Sequence, residues 1–98
     1  MAALSSQSDL ERVINAARAP GWSIGVDRHG RIMATSEMGE IGMPWVVVAS
    51  KTGKGLRVSK YQPGDDVDLE GDVLADIVGS PREMGRQIRE ILCSFECN

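Results

Sequence analysis

The sequence predicts an α+β domain: a mainly antiparallel sheet of four or five strands with an N-terminal and a C-terminal helix packed on one face, in the order α-β-β-β-β-(β)-α. Three observations lead there. Apolar residues recur at helical spacing near both ends of the chain, β-branched runs and alternating segments fill the middle, and glycine-bearing turns separate them. Each helix offers a single apolar stripe, which is best buried by laying both helices on the same side of the sheet.

The first helix opens at Ser8-Asp9-Leu10-Glu11, the spacing of a capping box, in which serine and glutamate satisfy free backbone donors. Leu10, Val13, Ile14 and Ala17 follow on one face, and Pro20-Gly21 stops the helix. Trp22, Ile24 and Val26 then alternate with smaller or polar residues, and Asp27-Arg28-His29-Gly30 reads as the turn of a hairpin. The β-branched stretch Pro44-Trp45-Val46-Val47-Val48-Ala49-Ser50 suits a strand buried on both faces. Lys51-Thr52-Gly53-Lys54-Gly55 turns it into Leu56–Tyr61, making a second hairpin in which glycine is expected to serve the turn geometry.

Residues 73 to 78 fit two patterns. Val73, Leu74, Ile77 and Val78 could form a helical face, but the run is short and ends in Gly79, so a strand is the favoured reading. Ser80-Pro81-Arg82-Glu83 starts the last helix, with serine at the cap, proline at the first helical position and glutamate completing the box. That helix is expected to run to about Phe95. At about 100° per residue, Met84, Ile88, Ile91, Leu92 and Phe95 form its core stripe. Arg82, Arg86, Arg89, Cys93 and Cys97 fall on the opposite side.

With 98 residues, 42% of them hydrophobic and 26% charged, the chain suits one domain spanning residues 1–98, without linker, repeat or low-complexity segment. Such a domain buries about two-thirds of the surface its unfolded chain would expose. No apolar run is long enough to span a bilayer, and the first residues lack the pattern of a secretory signal, so a reducing cytoplasm is the expected compartment and no membrane the expected setting. Two cysteines so close together near the chain end make no disulfide framework.

Catalytic chemistry finds little purchase. The only histidine, His29, sits in the first turn, where a solvated polar side chain is expected. Lys51-Thr52-Gly53 has the letters of the KTG element of penicillin-recognising enzymes, but no S-x-x-K nucleophile accompanies it. The glycines around Lys54 do not make a phosphate loop, which must arch from a strand into a helix. Asp66, Asp68, Glu70, Gly71 and Asp72 resemble the first half of a calcium loop, yet the twelfth position is Ile77 where a bidentate glutamate belongs. Cys93 and Cys97 are two ligands where a closed zinc site needs four. No catalytic residue, metal or cofactor is therefore expected.

The charge is distributed unevenly. The net charge is −3. Within it, Lys51, Lys54, Arg57 and Lys60 form a basic hairpin, and Asp65, Asp66, Asp68, Glu70, Asp72 and Asp76 follow at once. The acids Asp65, Asp66, Asp68, Glu70 and Asp72 suit a basic protein surface, and Met38, Ile41 and Met43, set among glycines, could add an adaptable apolar contact. These eight residues are the expected partner-binding set of a non-catalytic regulatory module. One form it could take is a small acidic inhibitor from a mobile element, of the anti-CRISPR or anti-restriction type.

Two alternatives stand beside this reading. Lys51, Lys54, Arg57, Lys60 and Tyr61, with Arg82, Arg86 and Arg89, could hold a phosphate backbone and stack on a base, although the acids that follow in the chain oppose it. Self-association is the other, the basic hairpin of one copy meeting the acidic stretch of another, as in a homodimer.

Overall fold

A computed structural model gives the architecture and describes residues 7–36, 45–61, 66 and 71–96. The elements are α1 (Gln7–Ala17), β1 (Trp22–Val26), β2 (Ile32–Ser36), β3 (Val46–Lys51), β4 (Leu56–Tyr61), β5 (Asp72–Ile77) and α2 (Pro81–Glu96). All five strands join one antiparallel sheet in chain order, so each strand lies beside its sequence neighbours. The expected order of helix, strands and helix is present, and residues 72 to 77 form a strand. The alternative helical pattern at Val73, Leu74, Ile77 and Val78 loses because Ala75 and Ile77 take inward positions against Val58 and Leu56.

One face of the sheet carries both helices. Leu10, Val13, Ile14 and Ala17 of α1 and Met84, Ile88 and Leu92 of α2 share a core with Trp22, Ile32, Ala34, Val47, Ala49, Leu56, Val58 and Ile77. Val46 and Val48 point the other way, and Val48 is nevertheless buried at 1% exposure. The β-branched run of β3 therefore reflects burial on both faces, as its composition requires. No helix is long and apolar enough to cross a membrane, among the described residues.

Local chemistry departs from expectation in instructive ways. Helix α1 already starts at Gln7, so Ser8 and Asp9 occupy its first turn and the capping box does not set its boundary. At α2 the cap is real. Glu83 N–H donates to Ser80 Oγ (3.2 Å), while the serine hydroxyl donates to the glutamate carboxylate (3.1 Å). In β1 the inward row fades: Trp22 is buried, Ile24 half-buried and Val26 45% exposed. Cys93 is not on a solvated arginine face. It packs half-buried at the edge of the core.

Two glycines permit close approach. The φ angles of Gly53 and Gly55 are not in the left-handed region, so neither supplies the special turn geometry expected of it. A Cβ on Gly55 would instead collide with the carbonyl oxygen of Ile77. Gly85, in the middle of a helix where glycine is disfavoured by about 0.5–1 kcal/mol, lies where a Cβ would strike Val13 O and come 2.6 Å from the Ala16 Cβ. It lets the backbones of α1 and α2 touch.

Candidate functional site: two oppositely charged ends of the sheet

An antiparallel meander sends alternate connections to opposite ends. The links β1–β2 and β3–β4 therefore share one end, and the links β2–β3 and β4–β5 depart from the other. The first end is basic. Among the described residues it carries Arg28, His29, Arg31, Lys51, Lys54 and Arg57 against the acids Asp27 and Asp76. The second is where the acid-bearing stretch between Tyr61 and Asp72 leaves and returns, and where Glu37 and Glu40 follow β2 in sequence.

The basic end is built from two turns tied by side chains. Asp27 Oδ1 accepts from the backbone N–H groups of His29 (2.8 Å) and Arg31 (2.9 Å), and its Oδ2 accepts from Arg31 Nε (2.6 Å). Gly30 takes φ of 79°, which a side chain would oppose. Burial pushes the Asp27 carboxyl pKa up, but the hydrogen bonds from Arg31 and His29 and the Arg31 charge outweigh it. The group is held below the usual carboxylate value. In the second turn Thr52 Oγ1 accepts from Gly55 N–H (3.0 Å) and Lys54 N–H (3.3 Å), and Thr52 N–H donates to Gly55 O.

The acidic end has an aromatic floor. Phe95 of α2 stands edge-on to Trp22 at 5.5 Å between ring centroids and tilted against Trp45 at 5.9 Å. Lys60 Nζ sits 5.3 Å from the centroid of Trp45, a cation–π contact. The indole N–H of Trp22 is buried without a hydrogen-bond partner among the described residues.

The predicted partner-binding set falls partly inside this description. Asp66 and Asp72 are exposed at the acidic end. Asp65, Asp68, Glu70, Met38, Ile41 and Met43 lie outside the described residues, as does Cys97.

The alternative nucleic-acid set divides into three groups. Lys51 and Lys54 belong to the basic end, and Lys60 and Tyr61 to the other. Arg82, Arg86 and Arg89 are exposed on α2, in the helical layer. Tyr61 is buried at 7% exposure, and a Cβ on Gly71 would lie 2.7 Å from its ring, so this ring is not presented for base stacking. Arg57 is exposed and bound to Asp76 through Nε (2.8 Å) and Nη2 (3.4 Å). The arginine hydrogen bond holds the Asp76 carboxyl below its ordinary value.

Sequence reasoning missed Arg28, Arg31 and Asp27 as members of the basic end, although the turn signal at Gly30 could have placed them there once the meander order was fixed. Comparison of the chain with family models, curated proteins and solved structures finds no match.

Proposed function

We propose that this chain is a non-catalytic protein-binding module whose acidic sheet end meets a basic protein surface. The observation that supports this reading is that Asp66 and Asp72 are exposed, with Asp72 at the end of the sheet opposite Lys51 and Lys54. β3 spans six residues, which at about 3.3 Å each puts the two ends roughly 20 Å apart, more than two Debye lengths at physiological ionic strength. Each end therefore presents its own charge to an approaching molecule despite the small net charge. A basic partner is steered to Asp65, Asp66, Asp68, Glu70 and Asp72, and the encounter rate gains more than the lifetime of the complex. A surface that normally holds nucleic acid is the natural target of such an end, and occupying it would make this chain an inhibitor.

The test begins with cross-linking in cell extract to obtain the partner and continues with rapid mixing of the purified pair. Replacing Asp65, Asp66, Asp68 and Glu70 by lysine is expected to cut the association rate by about tenfold or more and to change the dissociation rate little. Loss of affinity through dissociation alone would contradict the proposal.

The same separation supports self-association as a second reading. Opposite charges on opposite ends favour head-to-tail contact, which builds open chains of copies. Sedimentation at low and high salt decides it: chains of this kind grow with concentration at low salt and dissolve at high salt.

A further inference from the structure

The basic end contains a depression that the partner-binding reading does not use. His29, Gly30, Arg31, Ser50 and Lys51 line it, and its volume is ≈ 490 Å³, inside the range of about 300–1,000 Å³ common for small-molecule sites. It opens to solvent between the β1–β2 turn and the end of β3. The pairing of Ile32 with Ala49, carried one residue further, brings Arg31 opposite Ser50. Ser50 in turn pairs with Arg57 of β4, so its hydroxyl stands in a cross-strand row between two arginines on the helix-free face.

The residues around the depression differ in what already holds them. Arg31 is fixed in place by Asp27. The half-buried Ser50 hydroxyl, the His29 ring and the Lys51 ammonium have no hydrogen-bond or ion-pair partner among the described residues. Ser50 and the anchored Arg31 thus stand beside His29 and Lys51 at the rim of the depression, on turns whose backbones Asp27 and Thr52 already hold. The backbone that carries these donors is therefore fixed before an anion arrives, which lowers the cost of binding one.

We propose that this depression binds the phosphate group of a small phosphomonoester. A carboxylate offers two oxygens in one plane, whereas a phosphomonoester offers three around a tetrahedral centre and carries about −1.5 to −2 charges at neutral pH, which better matches donors arriving from two strands and a turn. The nearest described carboxylates, Asp27 and Asp76, are each already paired with an arginine, Arg31 and Arg57. The site is open, so the complex is weak, with a dissociation constant on the order of millimolar. The proposal is independent of the protein-binding reading, which concerns the opposite end.

The experiment is an amide NMR titration of the full chain with inorganic phosphate, O-phosphoserine and acetate at constant ionic strength. Saturable shifts confined to residues 28–31 and 50–52 are expected with both phosphates, with acetate about fivefold weaker or more. Ser50→Ala, which removes one donor and leaves the turn intact, is expected to weaken phosphate about fivefold, and Lys51→Glu about tenfold or more. The unchanged remainder of the spectrum confirms that each variant is folded. Four results overturn the proposal: shifts that never saturate, shifts that centre on Arg82, Arg86 and Arg89, equal binding of acetate, or phosphate affinity indifferent to both substitutions. Response to inorganic phosphate but not to O-phosphoserine would overturn the phosphomonoester and leave an adventitious ion only.

Discussion

The two ends of the sheet are held by different forces. At the basic end, two short turns are fixed by polar side chains: Asp27 spans its own hairpin with three hydrogen bonds, and Thr52 takes two from the residues that follow it. At the acidic end, strands and helix meet through rings, with Phe95 between Trp22 and Trp45 and Lys60 laid over the outer indole. At the basic end local hydrogen bonds define the backbone of the turns, whereas the other end rests on a platform of three rings with one lysine over its edge.

Disrupting either end tests this contrast. The largest effect is expected for Gly55→Val, which drives a side chain into the Ile77 backbone and costs about 3 kcal/mol. Chemical denaturation measures it, and a loss below about 1 kcal/mol would mean that β5 yields easily. Phe95→Ala opens the aromatic platform, and because the ring is half-buried the expected cost is about 2 kcal/mol, below the value for a fully buried ring. Unlike a lesion at the basic end, this one should be insensitive to pH and salt. Ser80→Ala removes the cap of α2 and should cost about 1 kcal/mol, with Ser80→Thr restoring most of it.

The smallest effect separates the ends by pH. Asp27 has a folded pKa below its unfolded value of 3.8. Its contribution is therefore complete above that unfolded value and is lost as pH falls through the lower folded one. Stability measured from about pH 5 down to about pH 2 should fall, and Asp27→Asn should flatten part of that acid limb. Asp76 has the same sign, but its pair with Arg57 is exposed on both sides, so its share should vanish in high salt while that of Asp27 persists. Identical acid limbs in the native chain and the Asp27→Asn variant would show that the turn is not held by the charge.

Much of the architecture was legible in the residues. Helical spacing at Leu10, Val13, Ile14 and Ala17, the run Val46–Ala49 and the Ser80–Glu83 cap each identify an element, because each pattern answers to a local force. What escaped were features decided by neighbours distant in sequence. Nothing near Gly85 reveals that Val13 lies against it, and nothing near Gly55 reveals Ile77. Val26 satisfies the alternation of β1 but lies beyond the helical cover, so periodicity alone misplaces it.

The charge pattern shows the same limit from the functional side. In the sequence the basic hairpin and the acids appear as one continuous stretch, with the acids opposing any anion the lysines might attract. In the fold β4 carries the chain from Lys51 and Lys54 at one end of the sheet to Lys60 at the other, where Lys60 pairs in register with Asp72, while Arg57 pairs with Asp76, so only the two lysines of the turn are parted from the acids that follow. Arg31, Ser50 and Arg57 show the converse, being scattered in sequence and adjacent in the sheet.

The proposed reading requires surface charge to act on a protein partner. Its most direct test is the association rate with that partner as salt rises from about 20 mM to about 500 mM. A fall of about tenfold or more is expected, and it should disappear when Asp65, Asp66, Asp68 and Glu70 become lysine. A rate that is flat across the series, or equally steep in the variant, would contradict it.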